Sequence, residues 1–476
     1  MFHADWVLGT LGTARGDLFA LLRLALALST TVHVLLTKRN TQSSIAWIGF
    51  SWISPVVGTA LYFSFGINRV SRRARKLRRR LHRTGDEVPD GDARDDHLGA
   101  LEAAARTITK RSALAGNRVE RFENGDEAYP RMLAAIEAAQ TSIGLASYIF
   151  FDDAGGRPFI DALARAHRRG IAVRVLVDGV GSGYFRCGAA SALHAAGVPV
   201  DRFLHSVLPW RMPFINLRNH KKILVVDGRL GFTGGMNISA HNLVATNPAD
   251  PVRDTHFLFE GPVVGQLTEA FAADWMFATD EELDGDAWFP DTPEDGPAIA
   301  RVITAGPDQD IEKIELVMLQ AIASAERGVR LMTPYFLPDG RLMTALSLAA
   351  MRGVRVDIVV PEKSDHRAVD WAARNNFGPL INAGCAIWLN PPPFDHSKIM
   401  VVDQTWALIG STNWDSRSFR LNFELNLEVY HSDLAANLDR LVASKQGRRV
   451  RGSELRARSV PVRLRDAAMR LTQPYL

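Results

Sequence analysis

Two stretches of the chain carry the same chemical groups at the same spacings. The first reads Asn219-His220-Lys221-Lys222-Ile223-Leu224-Val225-Val226-Asp227 and continues to Gly234-Gly235-Met236-Asn237. The second reads Asp395-His396-Ser397-Lys398-Ile399-Met400-Val401-Val402-Asp403 and continues to Gly410-Ser411-Thr412-Asn413. In both, Lys lies two residues after His, Asp seven after and Asn seventeen after. One such match could be a coincidence or a surface strand; two with the same downstream Gly and Asn are a signature. Lysine is scarce here, nine of 56 basic residues, yet both copies place one two residues after the histidine. Its compact ammonium suits a phosphate oxygen held in a small site.

Two imidazoles, two ammoniums and two carboxamides converging on one point suit a phosphodiester. One neutral histidine attacks phosphorus while the other, protonated, gives its proton to the leaving oxygen. Lys and Asn hold the non-bridging oxygens as charge develops, and the histidines then exchange roles on an incoming hydroxyl. The candidate catalytic set is His220, Lys222, Asp227, His396, Lys398 and Asp403, with Lys222, Asn237, Lys398 and Asn413 binding the phosphate. Within it Asp227 and Asp403 stand at hairpin turns, where a structural role is the default. Each histidine also needs an acceptor to orient it. Asp254 and Glu424, 34 and 28 residues after their own copies' histidines, are the candidates, with an ordinary salt bridge as the alternative. No Cys/His or carboxylate cluster calls for a metal, and no cofactor is expected.

These groups must be positioned by particular elements. The apolar run after each Lys reads as a strand, which puts His and Lys on one face. Asp227-Gly228 and Asp403-Gln404 read as tight turns, so that the returning strands bring Asn237 beside His220 and Asn413 beside His396. Around them Ala-, Leu- and Arg-rich helical segments alternate with short β-branched runs such as Val173-Arg174-Val175-Leu176-Val177, the pattern of an α/β protein. The chain repeats itself. Ala135–Ala139 ahead of Tyr148-Ile149-Phe150 matches Ala321–Ala325 ahead of Pro334-Tyr335-Phe336 at an offset of 186. Arg169-Gly170-Ile171-Ala172-Val173 matches Arg352-Gly353-Val354-Arg355-Val356 at an offset of 183. The Asp- and Pro-rich stretch 284–296 is the natural boundary between the copies.

At 476 residues, with 47% apolar and 23% charged positions, the chain is too long for one core and too apolar for disorder. Its two cysteines, Cys187 and Cys385, exclude a disulfide scaffold or a thiolate zinc site. Nine Lys and Arg without an acid crowd between Arg69 and Arg83, so the rest of the chain is net negative although the whole carries +4. That distribution argues against a nucleic-acid binder with a basic face over its whole body. Leu18–Leu36 is an apolar run interrupted by Arg23 and His33, and Ile45–Ile67 is 23 residues without a charge. Each is long enough to span a bilayer, Pro55 notwithstanding, which predicts a transmembrane hairpin with both ends on one side. Cleavage of the first run as a signal peptide is disfavoured for want of a basic leader. The basic block outweighs Lys38 and Arg39 in the turn, so the large C-terminal part is expected in the cytoplasm. The same block is suited to anionic lipid.

The paired motifs closely resemble those of the phospholipase D superfamily and, within it, the bacterial cardiolipin synthases. The likeness runs from about Ser44 to Leu476. It is carried by Asn219–Asn237, by Arg253–Pro262, and by His396 through Gly410–Ser418 to Leu421-Asn422-Phe423-Glu424. It implies two tandem α/β/α sandwich domains forming a pseudo-dimer with a single site between them. On that basis the expected layout is an anchor at 1–83, a linker at 84–114, and phospholipase D-like domains at 115–285 and 286–476.

The resemblance further implies transphosphatidylation without metal. One phosphatidylglycerol forms a phosphatidyl–histidine, on His220 by the superfamily's habit, and releases glycerol; a second takes up the phosphatidyl group to give cardiolipin. Phosphatidylglycerol and an anionic bilayer would be the partners, with no nucleic acid and no obligate protein partner, in a bacterial inner membrane. Hydrolysis by water is the alternative, with a nuclease or an inactive adaptor further behind. Ser239-Ala240-His241-Asn242 departs from the family, which often has a Tyr there; this bears on the acceptor side. The apolar stretch Phe203–Ile215 could hold acyl chains or be a packed loop.

Overall fold

The computed structural model describes residues 2–38, 41–66, 96–205, 217–307 and 310–471. The basic block at 69–83, most of the acidic stretch after it and the apolar segment 206–216 lie outside the described residues.

At the N-terminus helix α1 (Phe2–Thr37) contains a 22-residue stretch, Gly16–Thr37, apolar and long enough to cross a bilayer. The second apolar run differs from the single spanning helix expected of it. It forms α2 (Thr41–Ile53) and α3 (Pro55–Leu61), followed by a π turn over Tyr62–Gly66. Pro55 lacks an N–H and pushes the preceding residue out of the helical region, and Ser54 sits at φ −136°, ψ 81°. The chain then doubles back. The Trp47 and Tyr62 rings are 5.4 Å apart, although fifteen residues of straight helix would separate them by about 22 Å. A Cβ on Gly58 would lie 2.7 Å from the Phe50 carbonyl oxygen, so only glycine permits the reversal.

Helix α2, at 13 residues, is about 20 Å long and cannot cross a hydrocarbon core of about 30 Å. The second run thus forms two short helices packed against α1 rather than one long one. Thr30 Oγ1 meets Thr59 Oγ1 at 2.9 Å, Trp52 Nε1 donates to Thr31 Oγ1 at 3.0 Å, and His33 Nδ1 meets Tyr62 Oη at 2.7 Å. Pairing polar groups between helices is what an apolar surrounding demands. Leu18, Leu21, Leu35, Ile45, Ile53 and Val57 face outward.

The other described residues form an α/β body. The first half supplies β1 (Leu114–Glu123), β2 (Ser142–Ser147), β3 (Ala172–Asp178), β4 (Val200–Phe203), β5 (Arg218–Asn219), β6 (Ile223–Val226), β7 (Leu230–Gly234), β8 (Val252–Arg253) and β9 (Thr255–Glu260). The second supplies β10 (Ala298–Ala305), β11 (Gly328–Met332), β12 (Phe336–Leu337), β13 (Arg355–Pro361), β14 (Ala386–Asn390), β15 (Phe394–Asp395), β16 (Ile399–Val402), β17 (Trp406–Gly410), β18 (Trp414–Asp415), β19 (Asn422–Tyr430) and β20 (Arg448–Arg449).

One 16-stranded sheet runs through both halves, with β1 and β10 pairing antiparallel at its middle. Outward from that seam the first half reads β1-β9-β7-β6-β2-β3-β4 and the second β10-β19-β17-β16-β11-β13-β14. The repeated topology is the structural form of the repeated sequence. Strands β6 and β16, the apolar runs of the two motifs, are buried along their whole length, as strands covered by helices on both faces should be.

Residues 99–109, inside the stretch expected to be linker, form helix α4 (Gly99–Thr109). Its Leu101 and Ala105 join the core of the second half. The fully buried Arg301 on β10 ties it down, reaching Glu102 at 3.6 Å while bonding Glu428 at 2.5 Å.

Candidate functional site

Each motif strand ends in a hairpin whose two central residues, Asp227-Gly228 and Asp403-Gln404, have positive φ. Such turns match the twist of the strands they join. The two aspartates do not approach the histidines. Asp227 accepts the backbone N–H groups of Gln140, Thr141 and Ser142 at the start of β2. Asp403 accepts those of Glu326, Arg327 and Gly328 at the start of β11, and pairs with His97 at 2.9 Å. Five residue steps along an extended strand put them about 16 Å from their lysines. They leave the candidate catalytic set: they fix the strands that carry the reactive groups.

The two histidines come together. Their ring centroids are 6.3 Å apart at an interplanar angle of 81°. Both are buried, as are Lys222 and Lys398. Lys222 Nζ donates to the His220 carbonyl at 2.7 Å, and Lys398 Nζ donates to the His396 carbonyl.

The orienting acids are the two expected, but their pairing is crossed. Glu424 of the second half accepts from His220 Nδ1 at 3.0 Å, and Asp254 of the first half accepts from His396 Nδ1 at 2.9 Å. The backbone dictates this. Strand β5 pairs parallel with the start of β19, and the His220 N–H donates to the Phe423 carbonyl, so the next residue, Glu424, meets His220. Strand β15 likewise pairs with β8, and the His396 N–H donates to the Arg253 carbonyl, which delivers Asp254 to His396. A hydroxyl contact between Thr255 and Ser397 at 2.8 Å closes the second crossing. Lys398 Nζ also stands 2.7 Å from His396 Nδ1. The ring proton there belongs to Asp254, because an ammonium offers no lone pair to accept it.

The asparagines occupy the loops after β7 and β17. Asn237 accepts the Ile149 N–H at 3.2 Å through Oδ1, which leaves its amide hydrogens to donate. Asn413 is buried, with Oδ1 unpaired among the described residues. A Cβ on Gly235 would lie 2.4 Å from Asp254 Oδ1; glycine there is what lets the acid reach its place.

Residues that spacing did not reveal complete the site. Tyr148 meets His220 edge-on at 4.9 Å and lies 5.2 Å from Lys222 Nζ, while Tyr335 meets His396 at 6.2 Å. Ser411 donates to Glu424 Oε2 at 2.5 Å and Asn422 to Oε1 at 3.0 Å. Both tyrosines lie in segments the internal repeat picks out, but at positions one residue out of register, and repetition alone does not say that they reach the histidines.

Burial, with Lys222 and Lys398 beside it, holds His220 well below the ordinary imidazole value. His396 is lowered by burial and by Lys398, against the pull of Asp254. Burial brings Lys222 down to about 7 and Lys398 to about 8. The acids differ. Burial pushes Glu424 up to about 6, whereas Asp254, though burial would raise it, is held below the usual carboxylate range by Lys398 and its bond to His396.

A family model described as cardiolipin synthase, phospholipase D-like domain, matches residues 132–275 and 318–445, and a model of a phospholipase D-nuclease N-terminal segment matches 25–66. The chain is 31% identical to cardiolipin synthase 1 of Bacillus cereus over 477 residues, covering 93% of this chain and 91% of that one. It is 34% identical to cardiolipin synthase A of Pseudomonas syringae over 427 residues, covering 87% and 88%. The solved phosphatidylserine synthase of Haemophilus influenzae superposes with a TM-score of 0.62 over 79% of this chain and 100% of that one; at 14% identity it speaks to the fold alone. The chain belongs to the phospholipase D-like cardiolipin synthase family.

Proposed function

We propose that the chain is a membrane-anchored phosphatidyltransferase that makes cardiolipin and glycerol from two molecules of phosphatidylglycerol. The observation that carries this reading is the buried pair of histidines, each bonded through Nδ1 to a carboxylate and so presenting Nε2 to the space between the rings. His220 is assigned as the nucleophile because burial and the two lysines hold it neutral more firmly than His396. His396 is also lowered, but the ionised Asp254 pulls its proton back on, so that of the two it is the better proton carrier.

His220 Nε2 attacks phosphorus, the bond to the headgroup oxygen breaks, and the proton of His396 goes to the departing glycerol. In the second half the hydroxyl of another phosphatidylglycerol gives its proton to His396 and attacks phosphorus, and the P–N electron pair returns to His220. Lys222, Lys398, Asn237 and Asn413 hold the non-bridging oxygens throughout. Water in place of the lipid hydroxyl would give phosphatidic acid through the same residues. The test is a lipid mass spectrum of the full-length protein in phosphatidylglycerol vesicles with a chelator present. Cardiolipin with equimolar glycerol is expected; phosphatidic acid alone would return the chain to hydrolysis.

The buried lysines set a pH dependence. An ammonium is charged below its pKa, so phosphate binding is strong below about 7 and weakens as pH rises through 7 to 8. His220, depressed below its ordinary value, stays neutral into the mildly acidic range. The kcat/KM profile should therefore already be falling by pH 8, because His396, which must carry its proton, is itself depressed and the lysines lose charge through 7 to 8; its acid limb lies below 6.5. At pH 8 substrate binding should take up protons, measurable by calorimetry in buffers of differing ionisation enthalpy. A profile still rising at pH 9 would contradict this.

The anchor supports a bacterial cell-membrane location with one span. α2 and α3 return the chain towards the end where α1 finishes, and the sequence there is basic, with Lys38 and Arg39 before α2 and the block 69–83 after the hairpin. The positive-inside rule makes that end cytoplasmic, with the catalytic body, and puts residues before α1's apolar stretch outside. A single cysteine introduced at position 3 should react with an impermeant maleimide in intact cells, and one at position 40 only after lysis. Protection of both would restore a two-span hairpin. The partition into an anchor (1–83), a linker (84–114) and domains at 115–285 and 286–476 remains part of this proposal, with β1 and β10 opening the two repeats and α4, inside the linker stretch, packed on the second half.

A further inference from the structure

We propose that the last helix of the chain docks the catalytic body on an anionic bilayer surface and holds the edge of the reaction centre against it. The docking goes beyond the transfer reading; only its purpose, delivery of a lipid, rests on that reading.

The helix is α6 (Val460–Leu471), and helical spacing sorts its residues onto two faces. The inward face carries Asp466 and Met469. Asp466 is fully buried and bonded to Arg458 and, at 2.7 Å, to Arg465, while Met469 packs on the core of the second half. The outward face carries Val460, Leu464 and Leu471, which are 63%, 65% and 76% exposed. A single exposed aliphatic residue is ordinary, but three on one stripe of a twelve-residue helix form a face. Arg463 and Arg470, seven residues apart and so on one side, stand exposed beside that stripe with no ion pair among the described residues.

Charge selects the occupant. Between Arg448 and Leu471 there are eight arginines and two acids, and both acids are engaged: Glu454 pairs with Arg448 at 2.5 Å, and Asp466 with the two arginines named above. Outside this stretch and the block at 69–83 the chain is net negative. A basic helix tipped with aliphatic side chains on a net-negative body fits a surface that is itself anionic and admits such side chains, which describes a phospholipid headgroup layer. A symmetric dimer through this face would instead set like charge against like.

The fold carries the face towards the reaction centre. Helix α6 packs on α5 (Arg367–Ala383), and two contacts fix their relative direction. A Cβ on Gly452, ahead of α6, would stand 3.7 Å from Ile381 near the end of α5, whereas the Arg465 guanidinium lies 4.3 Å over the Trp371 ring near its start. Helix α6 therefore runs antiparallel to α5, towards the exposed Asp365 and His366 that precede it. Asp365 accepts from Tyr335 Oη at 2.6 Å, the His366 and Tyr335 rings are 5.8 Å apart, and Tyr335 meets His396 at 6.2 Å. One aromatic ring thus separates the buried His396 from the surface, and Trp371 lies six residues, about 9 Å of helix, beyond Asp365. A face docked beside that edge lets a lipid present its phosphate while its chains stay in the bilayer.

Both native cysteines are buried, so Leu464→Cys provides one accessible thiol for an environment-sensitive fluorophore on the full-length protein in vesicles. With phosphatidylglycerol in the vesicles its emission should shift to the blue and be quenched at least twofold by spin-labelled lipid; in phosphatidylcholine alone it should do neither. Adding Arg463→Gln and Arg470→Gln, or about 1 M salt, should abolish the quenching. Without the label, that double variant should make cardiolipin at least fivefold more slowly from phosphatidylglycerol vesicles. With short-chain phosphatidylglycerol free in solution, supplied to protein in phosphatidylcholine vesicles, it should stay within twofold of wild type. An unquenched probe in anionic vesicles, or equal quenching in neutral ones, would overturn the proposal. A blue shift without lipid quenching would give the face to a second copy of the chain and overturn it too, as would an equal loss of rate with both substrates. Lipid quenching with no cardiolipin from the wild type would defeat the transfer reading and leave the docking standing.

Discussion

Replacing His220 with alanine should stop cardiolipin formation, with a loss of roughly four orders of magnitude or more, and so should replacing His396. The two variants fail at different steps. Without His220 there is no nitrogen to take the phosphatidyl group, whatever the leaving group. Without His396 the nucleophile is intact and only the proton for the departing glycerol is missing. A donor whose leaving group needs no proton, such as a phosphatidyl nitrophenol, should therefore bypass the second defect. On mixing with that donor, His396→Ala should release one equivalent of nitrophenol and accumulate a phosphatidylated protein, read by mass spectrometry after a neutral quench because a P–N bond is lost in acid. His220→Ala should show neither burst nor label. A label on His220→Ala would reverse the assignment, and substantial cardiolipin from either variant would end the two-histidine mechanism. Both variants should fold, since Glu424 keeps Ser411 and Asn422 as donors and Asp254 keeps the Thr255 N–H.

Local geometry made part of this site readable. A histidine and lysine two apart on an apolar strand share a face, and a tight turn returns the asparagine; none of this depends on the rest of the molecule. The doubled motif also implied the doubled fold, which the order of strands about β1 and β10 repeats. What could not be read depends on contacts between distant parts. The acids bond to histidines 204 and 142 residues away, and the choice between partners is made by the pairing of β5 with β19 and β8 with β15, strands of two residues on one side or both. Two-residue strands leave no periodicity to detect. Apolar length indicated membrane contact for Ile45–Ile67 but not the reversal within it; the local signs were Ser54-Pro55 and Gly58. Helix α4 lies in the stretch expected to be linker, and it takes its burial from the second half's core, a distant contact.

The crossing of the acids has a consequence as large as the histidines' own. A carboxylate behind Nδ1 fixes the tautomer that presents Nε2 and stabilises the imidazolium, so its loss should cost about 10²- to 10⁴-fold in kcat. Wired as the structure shows, Glu424→Gln should resemble the loss of His220: slow phosphatidylation even with the nitrophenol donor. Asp254→Asn should resemble the loss of His396: slow with phosphatidylglycerol, but restored to near wild-type burst rates by the activated donor. Had each acid served its own half, the two phenotypes would be exchanged, and a single set of burst measurements separates the arrangements. The crossed wiring also makes neither half sufficient. Each histidine receives its carboxylate, and the backbone bond that aligns it, from the other repeat. A symmetric pair of domains is in this way held to one shared reaction centre, in which one imidazole can form a covalent bond while the other carries the proton.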